Sequence, residues 1–137
     1  MERKEFIKSA FAFCGLAVVP AALLESCSKS VGAAPAVVNM TVDLSQSANA
    51  ALNSVGGYKI DNGVIIIRAS ASQFYALSSV CTHEGCTVGY DSSRKNLVCP
   101  CHGGTFNAST GAVLAGPPPS GLQVYTVTQS GQILTIK

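Results

Sequence analysis

Both histidines of this 137-residue chain, and four of its six cysteines, fall in two short segments. The first is Cys81-Thr82-His83-Glu84-Gly85-Cys86, the second Cys99-Pro100-Cys101-His102-Gly103-Gly104. A lone histidine is usually a core or surface residue, but here each stands one or two residues from a cysteine. Cys-x-His and Cys-x-x-His together offer two thiolates and two imidazoles. Such a set suits a tetrahedral zinc ion, or a two-iron cluster with cysteine on one iron and histidine on the other. Whatever the fold, it has to bring these two segments together.

Composition narrows the classes. Charged residues make up 12% of the chain, hydrophobic ones 47%, and the net charge is +2. A disordered chain needs the opposite balance, and a general nucleic-acid binder needs a basic face, so no nucleic-acid partner is expected. After residue 27 the acids are Asp43, Asp61, Glu84 and Asp91. That leaves little scope for paired-carboxylate hydrolysis. Nor is there a serine–histidine–acid set or a Gly-rich phosphate loop.

The N-terminus reads as an address. Residues 1–8 are charged and residues 9–24 carry no charge, the pattern of an export signal. Sixteen uncharged residues, interrupted by Pro20, fall short of the roughly 20 that span a bilayer; an uncleaved membrane anchor is the alternative. Leu24-Glu25-Ser26-Cys27 resembles a bacterial lipoprotein signal-peptidase site, with Glu25 departing from the usual small or apolar residue. Cleavage there would leave Cys27 as the acylated first residue, and two or more acyl chains would anchor the domain stably. Arg3-Lys4-Glu5-Phe6-Ile7-Lys8 also resembles a twin-arginine export signal with lysine in the second basic position. Cys14 lies inside the apolar run and needs no function. The expectation is an export signal over 1–27, a tether over 28–36 and one domain over 37–137, on the periplasmic face of a bacterial envelope.

The domain reads as all-β. Val38, Met40, Val42 and Leu44 recur at period two. Asn62-Gly63 between YKI and VIIIR predicts a hairpin with a primed turn. Gly56-Gly57 and Ser130-Gly131 are turn signals. Residues 73–78, 95–99, 123–128 and 132–136 read as further strands, and no segment after residue 30 predicts a helix of more than two turns. Short strands at this spacing imply an antiparallel sandwich or barrel. The remaining cysteines, Cys86 and Cys101, lie beside the ligand candidates. In an exported protein a disulfide between them would tie the loops together, contributing about 3 kcal/mol on the chain-entropy model.

The two loops resemble the signature of Rieske iron–sulfur proteins, C-T-H-x-G-C and C-P-C-H-G-x. Gly116-Pro117-Pro118-Pro119 resembles the proline-rich loop that covers the cluster in those of cytochrome bc-type complexes. The resemblance implies a small Rieske-type sandwich or barrel with one [2Fe-2S] cluster. Cys81 and Cys99 would hold the inner iron, His83 and His102 the outer one, and Cys86–Cys101 would be the disulfide. It also implies one-electron transfer, as a membrane-attached carrier or subunit of a quinol-linked oxidoreductase, with a redox protein or quinol as partner. On that reading the chain has no complete active site of its own. The alternatives are a small electron-transfer subunit of a periplasmic oxidoreductase that uses no quinol, and a structural zinc module.

Three positions depart from high-potential relatives. Gly104 and Phe106 stand where a serine and a tyrosine donate hydroxyl hydrogen bonds toward cluster or ligand sulfur. Glu84 stands where a shielding leucine is usual. Lost donors and an added carboxylate both disfavour the reduced state. The expected potential is therefore below that of respiratory-complex centres, within the range of about −150 to +300 mV for such sites. A low-potential donor such as a naphthoquinol would fit it better than ubiquinol.

Overall fold

The computed structural model describes residues 37–137. The expected export signal, the anchor alternative, Cys14, the Cys27 acylation site and the 28–36 tether lie outside the described residues. Among the described residues no helix is long and apolar enough to cross a membrane.

Among the described residues eleven strands form three sheets, every pairing between them antiparallel. The base sheet runs in the order β1 (Met40–Asp43), β11 (Ile133–Ile136), β10 (Val127–Ser130). The central sheet runs β2 (Tyr58–Asp61), β3 (Val64–Arg68), β4 (Phe74–Ser78), β9 (Val124–Tyr125). The third sheet is a meander of β5 (Gly89–Asp91), β6 (Asn96–Val98), β7 (Thr105–Asn107) and β8 (Val113–Ala115).

The central sheet explains the run of four aliphatic residues in VIIIR. Val64, Ile65, Ile66 and Ile67 are all buried, and successive side chains of a strand point to opposite faces. Val64 and Ile66 pack with Val42, Leu134 and Ile136 from the base sheet and with Leu44 just after β1. Ile65 and Ile67 pack with Leu97, Phe106, Cys81 and Cys99. A strand covered on both faces reads as a continuous apolar run. The antiparallel sandwich or barrel anticipated from the sequence is borne out, built as three sheets around two cores. Only one of those cores contains Cys81 and Cys99, the free cysteines among the described residues.

The β2–β3 hairpin closes through Asn62-Gly63, with Asp61 paired to Val64. Both turn residues have positive φ, +48° and +78°, as a type I′ turn demands. The stretch 123–128, read as one strand, is two. Thr126 exchanges backbone hydrogen bonds with Lys137; β9 before it joins the central sheet and β10 after it joins the base. Strands β5, β7 and β8 have three residues each, too few for periodicity to register. The chain also forms a 3-10 helix at Ser47–Asn53 that buries Leu52. What positions the site is the meander: one segment of interest enters it from β4, and the other joins β6 to β7.

Candidate metal centre

The two Cys–His segments fold into matched backbone loops. In the first, the Cys81 N–H donates to the Cys86 carbonyl at 2.8 Å, and the Gly85 N–H donates to the Cys81 carbonyl at 2.9 Å. In the second, the Cys99 N–H donates to the Gly104 carbonyl at 2.7 Å, and the Gly103 N–H to the Cys99 carbonyl at 3.1 Å. The register is the same: cysteine, then glycine four residues on. Gly85 and Gly103 have φ of +76° and +70°, a left-handed conformation in which any other residue would be strained. The shared cysteine–glycine spacing stands in the sequence, but the matching hydrogen bonds do not, and histidine sits two residues after the cysteine in one loop and three after it in the other.

The loops meet through their side chains. Cys86 and Cys101 are joined as a disulfide, with Cα atoms 6.4 Å apart. Cys81 and Cys99 are free and buried. Burial pushes the Cys81 thiol above its ordinary pKa; the backbone N–H of His83 opposes this, and the adjacent Cys99 adds to it. Binding iron would require both thiols to ionise, so metal binding there would release protons. His83 and His102 are exposed, with ring centroids 4.9 Å apart and planes at 81°. Glu84 lies beside them, its Oε2 3.5 Å from His102 Nδ1.

The donors therefore separate by element. His83, Glu84 and His102 bring ligand atoms within 4.8 Å of one another, and Cys99 lies within that distance of both disulfide sulfurs. Among the described residues no close group of three or more donors mixes imidazole with thiol. A single tetrahedral zinc, with bonds of about 2.0–2.3 Å, would need all four donors within about 4 Å of each other. A pair of buried thiols and a separate pair of exposed imidazoles fit two metal ions with unlike ligands, the donor set of a histidine-ligated two-iron cluster.

The proline segment closes this end of the molecule. Pro118 is buried while Pro117 and Pro119 are exposed. Gly116, with φ +92°, comes so near the second loop that a Cβ on it would stand 2.7 Å from Gly104 Cα. A Cβ on Gly104 would in turn stand 2.6 Å from Pro118 Cγ. From the other side, Thr82 Oγ1 donates to the Ser120 carbonyl at 2.6 Å. Each loop is thus tied to the other by the disulfide, and each to the proline segment. The Thr82 tie was not read from the sequence, since nothing local links positions 82 and 120. Phe106 is fully buried in the core that holds Cys81 and Cys99, and Glu84 is half exposed.

A family profile described as the Rieske [2Fe-2S] domain matches residues 37–126. The cytochrome b6-f complex iron-sulfur subunit of Synechococcus sp. (strain JA-3-3Ab) is 39% identical over 75 residues, 55% of this chain and 43% of that subunit. The subunit of the same description from Prochlorococcus marinus (strain NATL1A) is 37% identical over 82 residues, 58% of this chain and 46% of its own. The chain thus spans less than half the length of these curated relatives. Among solved structures, the plasma membrane Rieske protein of the cyanobacterium Synechocystis PCC 6803 superposes with TM-score 0.56 at 31% identity, covering 74% of this chain and 99% of that one. A ferredoxin of carbazole 1,9a-dioxygenase from Nocardioides aromaticivorans IC177 superposes with TM-score 0.50 at 25% identity, covering 60% and 83%.

Proposed function

This chain belongs to the Rieske [2Fe-2S] domain family, and from that premise we propose that it is a one-electron carrier of the bacterial envelope, linked to quinol oxidation. The observation that carries this reading is the separation of donors: two buried thiols, two exposed imidazoles, and a disulfide holding their loops together. We assign Cys81 and Cys99 to the inner iron and His83 and His102 to the outer iron. When bound, the cluster supplies reversible one-electron reduction.

The chain's own residues do the rest. The exposed imidazoles of His83 and His102 meet the donor. His83 or His102 would hydrogen-bond its hydroxyl and, with the ring nitrogen left free of metal deprotonated, accept its proton there. The buried side chains around Cys81 and Cys99 keep water from the thiolates. Pro117 and Pro119 are exposed on either side of Pro118, which packs on Gly104 of the second loop, and exposed Val80 and Leu114 are close in sequence to the first loop and the proline segment. These apolar positions support contact with a lipid-soluble donor or a protein partner.

The likeness to a protein named for the plasma membrane and to subunits of the cytochrome b6-f complex supports a membrane-attached carrier or subunit. In this reading residues 1–27 are the export signal, Cys27 carries the lipid, and residues 28–36 tether the domain at 37–137. A small subunit of an oxidoreductase that uses no quinol is the second reading, favoured by the likeness to a dioxygenase ferredoxin. Stopped-flow reduction of the purified full-length protein by a naphthoquinol separates the two. Bleaching of the oxidised-cluster absorbance that scales with quinol concentration is expected. Full reduction by dithionite with none by any quinol would overturn the quinol link.

A further inference from the structure

Gly104 faces two residues at once. A Cβ built on it would lie 3.7 Å from Cys99 Cβ, and 2.6 and 2.9 Å from Pro118 Cγ and Cδ. Position 104 is therefore the place from which a side chain would reach the side of Cys99, and Pro118 occupies that place. Contacts under 3.0 Å cannot be absorbed by a rigid pyrrolidine ring, and Pro118 is buried. Gly116 holds its loop against the Gly104 backbone at a second point. Its φ of +92° is a conformation that favours glycine, and glycine is what this close approach to the Gly104 backbone allows.

We propose that Pro118 is a positioning residue for the Cys99 ligand: it fills the space a side chain at 104 would need, and so keeps hydrogen-bond donors away from that sulfur. The proposal rests on the assignment of Cys99 as a cluster ligand and goes beyond it. Hydrogen bonds to ligand sulfur favour the reduced cluster. A chain that shuts a donor out by packing a proline there has its potential held low by the covering loop, and not only by the absence of a hydroxyl. In this chain, the closed loop and a hydroxyl at 104 exclude each other.

The test is a set of full-length variants: Gly104→Ser, Pro118→Ala, and Gly104→Ser and Gly104→Ala each combined with Pro118→Ala. Melting temperature reads the packing, and protein-film voltammetry reads the potential. Gly104→Ser alone is expected to melt well below wild type. The combined variants are expected to recover most of that loss, since packing neighbours couple. Relative to Gly104→Ala/Pro118→Ala, the serine version is expected to shift the reduction equilibrium about fivefold toward the reduced form, roughly 40 mV at 59 mV per decade. The proposal fails if Gly104→Ser melts like wild type, if Pro118→Ala rescues nothing, or if the two double variants share one potential. Wild-type protein lacking two irons per chain would instead overturn the ligand assignment, while the melting comparison would still report the steric coupling.

Discussion

At position 106 one oxygen atom separates the residue present from the one that would donate to sulfur. Phe106 is fully buried in the same core as Cys81 and Cys99, so a para-hydroxyl there would be shielded from water. Phe106→Tyr is expected to raise the midpoint potential by about 40 mV. That is one hydrogen bond of about 1 kcal/mol at about 59 mV per tenfold change. Voltammetry at neutral pH checks it, and an unchanged or lowered potential would contradict the role given to this position. Glu84 acts through charge instead. Its side chain is 57% exposed, and exposed ion pairs contribute at most about 1 kcal/mol. Glu84→Gln is therefore expected to raise the potential by no more than about 40 mV at low salt, and by less at high salt where screening is strong. A shift insensitive to ionic strength would mean that the effect is not electrostatic. The sequence marks position 104 only through the resemblance, as a place without a hydroxyl; that a side chain there would meet Pro118, fourteen residues away and in another loop, is seen only in the fold.

The strands show which signals survive translation into a fold. The Asn62-Gly63 hairpin was readable because the turn chemistry is local: both residues must take positive φ. Strand β3 was readable as apolar, but its two-sided burial depends on partners from distant parts of the chain. That division makes a sharp comparison. Ile66 and Ile67 are adjacent and fully buried, yet Ile66 belongs to the base core and Ile67 to the core with the free cysteines. Ile66→Ala and Ile67→Ala should each cost about 2–5 kcal/mol in denaturant unfolding. Only Ile67→Ala should also loosen the metal site, measured as faster iron release to a chelator under native conditions. Equal release rates would show that the two cores are not functionally separate. The loops give a second comparison. Removing the Cys86–Cys101 bridge, which closes a sequence separation of 15, by replacing both residues with serine should cost about 3 kcal/mol. A loss below about 1 kcal/mol on urea titration would mean that the hydrogen bonds within each loop suffice.

Over the whole molecule, the chemistry of the site was more legible than its architecture. Two histidines beside cysteines in a chain with no other histidine left few alternatives. The matched hydrogen-bond brackets of the two loops, the Thr82–Ser120 tie and the proline seated on Gly104 could not be read. Each depends on backbone positions that only the three-sheet stack brings together. That stack places the buried thiols in one core and leaves the imidazoles exposed, and the functional reading follows from this placement. The most direct test is metal analysis of the purified full-length protein, paired with a low-temperature electron paramagnetic resonance spectrum after dithionite reduction. Two irons per chain and the anisotropic, low-average-g signal of a histidine-ligated cluster are the predicted result. Stoichiometric zinc, or a silent spectrum from protein that has kept its metal, would contradict it.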